Sequence, residues 1–246
     1  MDLTGKAVAI TGASSGIGEA IALACAKAGA SVALGARRTE LIEALAQRIK
    51  ADGGRAVAIT ADVGEEDQAR AFVQQATDQL GRLDVLVNNA GVMLLGPIDG
   101  APTDEWREMI HTNVFGVLYC THAALPLMRE QGGGHIVNVS SVGGRVVGTY
   151  SGVYSLTKFG INAFSEALRR ESLEAGIRVT LIEPGSVATD LRSHTRKEVL
   201  EKTLPAFKGV TPLDATDIAD AVVFAIGQPP NVTISELLVR PSAQQM

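Results

Sequence analysis

Short apolar runs of strand length alternate with helix-length segments from one end of the chain to the other. This rhythm constrains the fold more than any other feature. Residues 7–10, 32–35, 56–60, 85–87, 136–139, 178–182 and 236–239 read as strands. Between them, residues 17–28, 40–51, 65–80, 105–130, 153–175 and 214–226 read as helices. A run such as Ala7-Val8-Ala9-Ile10 is apolar throughout rather than alternating, as strands covered on both faces are. Regular strand–helix alternation predicts a parallel sheet wound through right-handed crossovers, with helices on both faces. The expected fold is therefore α/β, a Rossmann-like doubly wound sheet of about seven strands. No linker, long repeat or low-complexity tract interrupts it, so residues 1–246 are expected to form a single domain.

Composition narrows the partners. The net charge is −5, without the clustered excess of Lys and Arg that a nucleic-acid or anionic-membrane surface needs. No apolar run approaches the ~20 residues of a membrane span. Lys6 and a strand-like run follow the first residues at once, unlike a secretory leader, so a cytoplasmic location is expected. Cys25 and Cys120 lie in apolar helical patterns and are expected to be buried free thiols. His111, His122 and His135 lack metal-ligand spacing, and no metal is expected.

The first strand-like run ends in Thr11-Gly12-Ala13-Ser14-Ser15-Gly16-Ile17-Gly18, which opens the first helix. Glycines allow positive φ in such a turn and let the backbone approach a pyrophosphate, whose charge a helix N-terminus stabilises. The spacing is Gly-x3-Gly-x-Gly rather than the commoner Gly-x-Gly-x2-Gly, so its place in the first strand–helix turn carries the reading. An NAD site of this layout has an acid about 20 residues beyond the glycines. Residues 32–36 offer none, and Arg37-Arg38 follow immediately. A guanidinium there suits a 2′-phosphate, so NADP(H) is the expected cofactor.

Tyr154-Ser155-Leu156-Thr157-Lys158 opens the long helix over 153–175, and residues four apart share a helix face. A free tyrosine titrates near ~10, and a neighbouring ammonium favours its phenolate. Ser141 closes the strand before it, at the carboxyl edge of the sheet where ligands bind in this architecture. Tyr-x3-Lys alone arises by chance on many helices, and the combination is what counts.

Together these motifs resemble the short-chain dehydrogenase/reductase family over essentially the whole chain. The match covers Thr11 to Gly18, Asn88-Asn89-Ala90-Gly91, Asp62 in Ala61-Asp62-Val63, Asn113, Ser141, Tyr154, Lys158, and Pro184-Gly185 with Thr189. The resemblance implies a catalytic set of Asn113, Ser141, Tyr154 and Lys158. Tyr154 would exchange the proton, Ser141 would bond the substrate oxygen, Lys158 would hold the nicotinamide ribose and lower the Tyr154 pKa, and Asn113 would position a relay water. It further implies a cofactor site of Gly12, Ser14, Ser15, Gly16, Ile17 and Gly18, with Arg37 and Arg38 at the 2′-phosphate. Asp62 and Val63 would meet the adenine, Asn89, Ala90 and Gly91 would line the site, and Pro184, Gly185, Val187 and Thr189 would hold the carboxamide. Many NADP-dependent members carry a basic residue where this chain has Ser15, so Arg37 is expected to take most of the phosphate contact.

The implied reaction interconverts a small alcohol and a carbonyl compound. A non-catalytic NADP-sensing module is the alternative, and it would have little need for the full catalytic set. A Ser/His/Asp hydrolase built on Asp190, Ser193 and His194 lacks the Gly-x-Ser-x-Gly elbow. Candidate substrate walls are Met93, Leu94 and Leu95, residues 142–153, and an irregular stretch over 186–212 placed where a lid belongs. Glu183 is a candidate for a cationic amine, and Arg145 or Arg192 for a carboxylate. Residues 93–97 and 238–242 resemble members acting on small hydroxy acids, amino alcohols or aldehydes. The helices over 105–130 and 153–175 carry more apolar positions than one sheet face needs, and the family pairs them across a two-fold axis. A homotetramer is expected, with a dimer as the lesser case.

Overall fold

The computed structural model describes residues 1–203 and 209–245. Its strands are β1 (Ala7–Thr11), β2 (Ser31–Ala36), β3 (Arg55–Thr60), β4 (Val85–Asn88), β5 (Gly134–Val139), β6 (Ile177–Pro184) and β7 (Glu236–Val239). The helices are α1 (Gly16–Lys27), α2 (Thr39–Ala51), α3 (Glu66–Leu80), α4 (Thr103–Ile110), α5 (Gly116–Glu130), α6 (Gly152–Glu171), α7 (Lys197–Thr203) and α8 (Ala215–Ile226). The seven strands form one sheet in the order β3-β2-β1-β4-β5-β6-β7, with every pair parallel. The expected Rossmann-like sheet is therefore present.

Its two faces explain why the strands are apolar without alternation. On one side, Val8, Ile10, Val32 and Leu34 pack against Ile21 and Cys25 of α1, Ile42 of α2 and Val222 of α8. On the other, Ala7, Ala9, Ala33 and Leu86 meet Phe72 of α3, Cys120 and Met128 of α5 and Leu168 of α6. Both thiols are buried and unbridged, and burial pushes each up to about 12. Strand order reverses between β1 and β4, so the loops leaving their carboxyl ends part and open a crevice there.

Two elements depart from their expected form. The helix over 105–130 begins earlier, at Thr103, and a π turn at His111–Phe115 separates α4 from α5. The helix over 153–175 ends at Glu171, because Ser172 O accepts from Ala175 N and Ile177 N and turns the chain into β6. The 186–212 stretch holds a bridge from Val187 to Leu213, a 3-10 turn at Asp190–His194, and α7. Residues 204–208 of that expected lid lie outside the described residues. Among the described residues, no helix is long and apolar enough to cross a membrane.

Candidate active site

A cleft of about 1060 Å³ runs along the carboxyl edge of the sheet. Every site residue expected from the sequence lines it except Gly18 and Asn113. Gly18 is buried in the first turn of α1, and Asn113 lies behind the wall, 1% exposed.

At one end the turn after β1 is held from behind by the turn after β4. The Thr11 hydroxyl accepts the Asn89 and Ala90 N–H groups, each at 3.0 Å. The Asn89 amide donates back to the Thr11 and Gly12 carbonyls at 3.0 and 3.3 Å. Gly12 takes φ +65, and a Cβ there would stand 2.7 Å from the Ala90 Cα. Only glycine fits, because both the dihedral and the space exclude a side chain. The result is a backbone cradle at the N-terminus of α1, suited to a pyrophosphate.

Past β2 the two arginines part. Arg38 reaches back to the cradle and donates to Ser14 Oγ at 2.8 and 3.2 Å and to Ser15 Oγ at 2.6 Å. Arg37 stands at the mouth, its Nη1 3.7 Å from Asp62 Oδ2. The other Asp62 oxygen accepts the Gly64 N–H at 3.0 Å. A guanidinium thus sits against Ser14 and Ser15, delivered from the turn between β2 and α2 rather than from the glycine loop itself.

At the other end, Ser141 leaves β5 and accepts the Gly143 N–H at 3.0 Å. Tyr154 and Lys158 project from the first turns of α6, 7% and 6% exposed. Lys158 Nζ donates to Val139 O at 3.0 Å and lies 5.9 Å from the centre of the Tyr154 ring. Burial pushes the Tyr154 phenol up, and its hydrogen bond with Ser141 opposes that. Burial also pushes the Lys158 ammonium down to about 8. The π turn places Asn113, whose amide pairs both ways with the Val92 main chain at 2.8 Å. Such a turn commonly marks a functional position in a helix.

Two of the expected substrate contacts are bonded to each other instead. Glu183 is fully buried and accepts Arg145 Nε at 2.7 Å and Asn162 Nδ2 at 2.8 Å, so it faces no amine. Arg145 is shared between Glu183 and Glu236, and both carboxylates hold its guanidinium further into the charged form. It is not placed for a substrate carboxylate. Arg192 does line the cleft, donating to Ser186 Oγ at 3.3 Å. Met93, Leu95, Val146, Val147 and Tyr150 give this wall its apolar surface, with Gly148, Thr149 and Ser151 between them, while Leu94 lies outside the lining. The 186–203 segment is closed onto this wall, since Thr195 Oγ1 donates to Met93 O at 3.1 Å.

Sequence reasoning missed two residues. Gln244 accepts the Ser186 N–H at 2.8 Å, bringing the C-terminal tail into the cleft. Nothing in the sequence marks that contact. Asn162 had a signal, because it continues the four-residue spacing of Tyr154 and Lys158 by one more turn of the same face.

The family model for short chain dehydrogenases matches residues 6–200. The chain is 40% identical to glycine betaine reductase of Emericella nidulans over 97% of its own length, but spans only 19% of that much longer protein. It is also 40% identical to an uncharacterised oxidoreductase of Staphylococcus saprophyticus, covering 98% of each. Among solved structures, a serine dehydrogenase complexed with NADP+ superposes with a TM-score of 0.89 at 31% identity, over 97% of this chain and 96% of that one. A 7α-hydroxysteroid dehydrogenase complexed with NADH and a 7-oxo bile acid superposes at 0.88 and 30% identity, over 100% and 96%.

Proposed function

The chain belongs to the short-chain dehydrogenase/reductase family of oxidoreductases, and from that premise we propose that it interconverts a small alcohol and a carbonyl compound with NADP(H). The observation that carries the reading is one cleft holding both the backbone cradle and the Ser141–Tyr154–Lys158 set. The residues fit a dinucleotide: the cradle is bare where a Cβ at Gly12 would strike Ala90, and cationic groups flank its outer end. Bound there, the cofactor supplies or accepts the hydride. Ser14, Ser15, Arg37 and Arg38 would hold the 2′-phosphate, Asp62 and Val63 the adenine, and Gly185, Val187 and Thr189 the nicotinamide end.

The protein's own part is proton handling and positioning. Ser141 Oγ would hydrogen-bond the substrate oxygen while Tyr154 Oη gives or takes its proton. Lys158, held on Val139 O, would favour the Tyr154 phenolate when charged, offsetting the burial that raises it. The Asn113 side chain is spent on Val92, so a relay water would be held by the main chain of its π turn.

With Glu183 and Arg145 committed to each other, the substrate end keeps Met93, Leu95, Val147 and Tyr150 with Arg192 and Lys202. Those walls favour a small hydroxy acid or its oxo form over an amino alcohol. The test is reduced-nicotinamide absorbance against a panel of hydroxy acids, amino alcohols and aldehydes with each cofactor. Turnover with NADPH supports the assignment, and NADPH binding without turnover would favour the sensing module instead. We further propose a homotetramer through the faces of α5 and α6, where Leu156 and Phe159 are 61% and 42% exposed. A monomeric mass by sedimentation would overturn that.

A further inference from the structure

Glu183 is a carboxylate with no exposed surface, one residue before Pro184-Gly185, and its partners do not belong to its own strand neighbourhood alone. Its Oε2 accepts Arg145 Nε at 2.7 Å and lies 2.5 Å from Nη2 in an ion pair. Its Oε1 accepts Asn162 Nδ2 at 2.8 Å. Arg145 lies in the turn that begins at Ser141, and Asn162 lies on α6 one turn beyond Lys158. Asn162 in turn accepts the Ser140 hydroxyl at 2.6 Å and donates to Gly144 O at 3.1 Å. A Cβ at Gly144 would stand 2.9 Å from both Asn162 side-chain polar atoms, so this close approach requires glycine. The three ends joined here carry Ser141, the Tyr154–Lys158 face, and the Pro184-Gly185 corner.

We propose that Arg145, Glu183 and Asn162 are positioning residues that lock the Ser141 turn to α6 and to the end of β6. The proposal rests on the catalytic reading of Ser141 and Tyr154 given above. A buried carboxylate is costly unless paired and fully hydrogen-bonded, and Glu183 meets both conditions only with the Ser141 turn in place. Ser140 N bonds Ile182 O, and beyond Ser140 the turn's main-chain to main-chain bonds stay within residues 141–146. Apart from the Ser141–Tyr154 bond, its polar ties to α6 and β6 therefore run through Arg145, Asn162 and Glu183. Without the lock, the Ser141 hydroxyl would lose its fixed distance from the Tyr154 phenol. Glu236, itself 55% exposed, bonds the same Arg145 Nη2 and closes the array from the solvent side.

The readout is Tyr154 ionisation in the NADP+-loaded protein, followed as tyrosinate absorbance and corrected with Tyr154→Phe. Ser141→Ala sets the scale, and losing that one hydrogen bond should raise the midpoint by about half to one pH unit. The Arg145→Gln/Glu183→Gln double variant replaces both charges with amides of similar shape, so no lone charge stays buried. It should move the midpoint at least half as far as Ser141→Ala, with NADP+ affinity within about twofold. Asn162→Ser should move it in the same direction, and serves if the double variant does not fold. Glu236→Gln should leave it in place. If Ser141→Ala shifts the midpoint and the strut variants do not, the positioning role is wrong while the catalytic reading stands. If Ser141→Ala is itself silent, the Ser141–Tyr154 pairing fails and the strut fails with it.

Discussion

The cofactor cradle and the substrate wall solve the same geometric problem with different residues. Both need backbone in the left-handed region at a tight corner. In the cradle those corners fall to Gly12 and Gly16, at φ +65 and +58. In the substrate wall the corner falls to Tyr150 at φ +69, the one non-glycine with positive φ among the described residues. Glycine sits there without strain, whereas a side chain costs about 1–2 kcal/mol. The cradle must present bare backbone to a ligand whose shape does not vary. The wall must present a side chain, and Tyr150 is held there by its carbonyl, which accepts the Gly96 N–H at 2.9 Å. Strain kept in order to aim a side chain belongs to a recognition surface.

If the two regions divide the work in this way, the largest effect should come from the residue between them. Tyr154→Phe keeps the ring and removes the proton, so turnover should fall by about 10²–10⁴-fold. NADPH affinity should stay within about threefold, because the cradle is untouched. Steady-state kinetics with a fluorescence titration of NADPH measures both. A variant that keeps a tenth of the rate removes Tyr154 from the acid–base role.

Arg37 tests the cradle side alone. Arg37→Ala should weaken NADPH by about 10- to 100-fold, the worth of a charge-assisted hydrogen bond, and leave NADH nearly unchanged. Arg38→Ala should cost both cofactors something, because Arg38 also ties Ser14 and Ser15. Ala36→Asp should go further against NADPH by setting a carboxylate beside the phosphate. The comparison to make is kcat/KM with each cofactor. Equal losses with both in Arg37→Ala, or a wild type that prefers NADH, would sink the assignment.

Strand β5 pairs with β4, whose turn braces the cradle, and leads into the turn toward the wall, so His135 near its amino end offers a way to ask whether the two regions fall together. His135 is buried and bonded to Thr180 Oγ1 at 2.7 Å, and burial first, then Arg178, pushes its pKa down to about 3. The unfolded chain takes up this proton below about 6.5, while the folded one does not until far lower. Stability from this residue is therefore complete above pH 6.5 and is lost as pH falls toward 3. At pH 5.5 the loss is about 1.4 kcal/mol. His135→Gln should remove that part of the pH slope in urea unfolding, with one transition at every pH. Two separate transitions would show that the cradle and the wall are independent units.

The same contrast explains what the sequence disclosed. The sheet was legible because seven apolar runs recur between helical segments, the five central ones buried on both faces, and the cradle because its chemistry is written in glycines at fixed spacing. Tyr154 and Lys158 were legible because a helix brings residues four apart onto one face. The π turn at His111–Phe115 left no mark, since one extra residue in a helical turn barely alters the apolar period. The Arg145–Glu183 bond joins residues 38 apart, and only the pairing of β5 with β6 brings them together. Reading them as two substrate contacts failed because opposite charges near a site are as readily partners of each other. Arg37 and Arg38 could not be told apart by position alone.

The smallest effect is the sharpest probe of the comparison itself. Replacing Tyr150 by Asn would mix relief of strain with loss of the ring and of Lys202, whose Nζ lies 5.8 Å over it. Tyr150→Ala and Tyr150→Gly both discard the ring, and they differ only by Cβ. At an ordinary loop position alanine is the more stable of the two by about 0.4–1 kcal/mol, because glycine gains more freedom in the unfolded chain. At φ +69 the Cβ adds about 1–2 kcal/mol of strain, which exceeds that advantage. The order should therefore reverse, with Tyr150→Gly more stable than Tyr150→Ala by about 0.5–1 kcal/mol in urea unfolding. Both variants should bind NADPH as the wild type does, because the cradle does not touch residue 150. Tyr150→Phe should keep the wild-type stability and, if the ring alone shapes the wall, most of the turnover. Alanine proving the more stable variant would mean that Tyr150 is not held in the left-handed region, and the contrast between a relaxed cradle and a strained wall would fall with it.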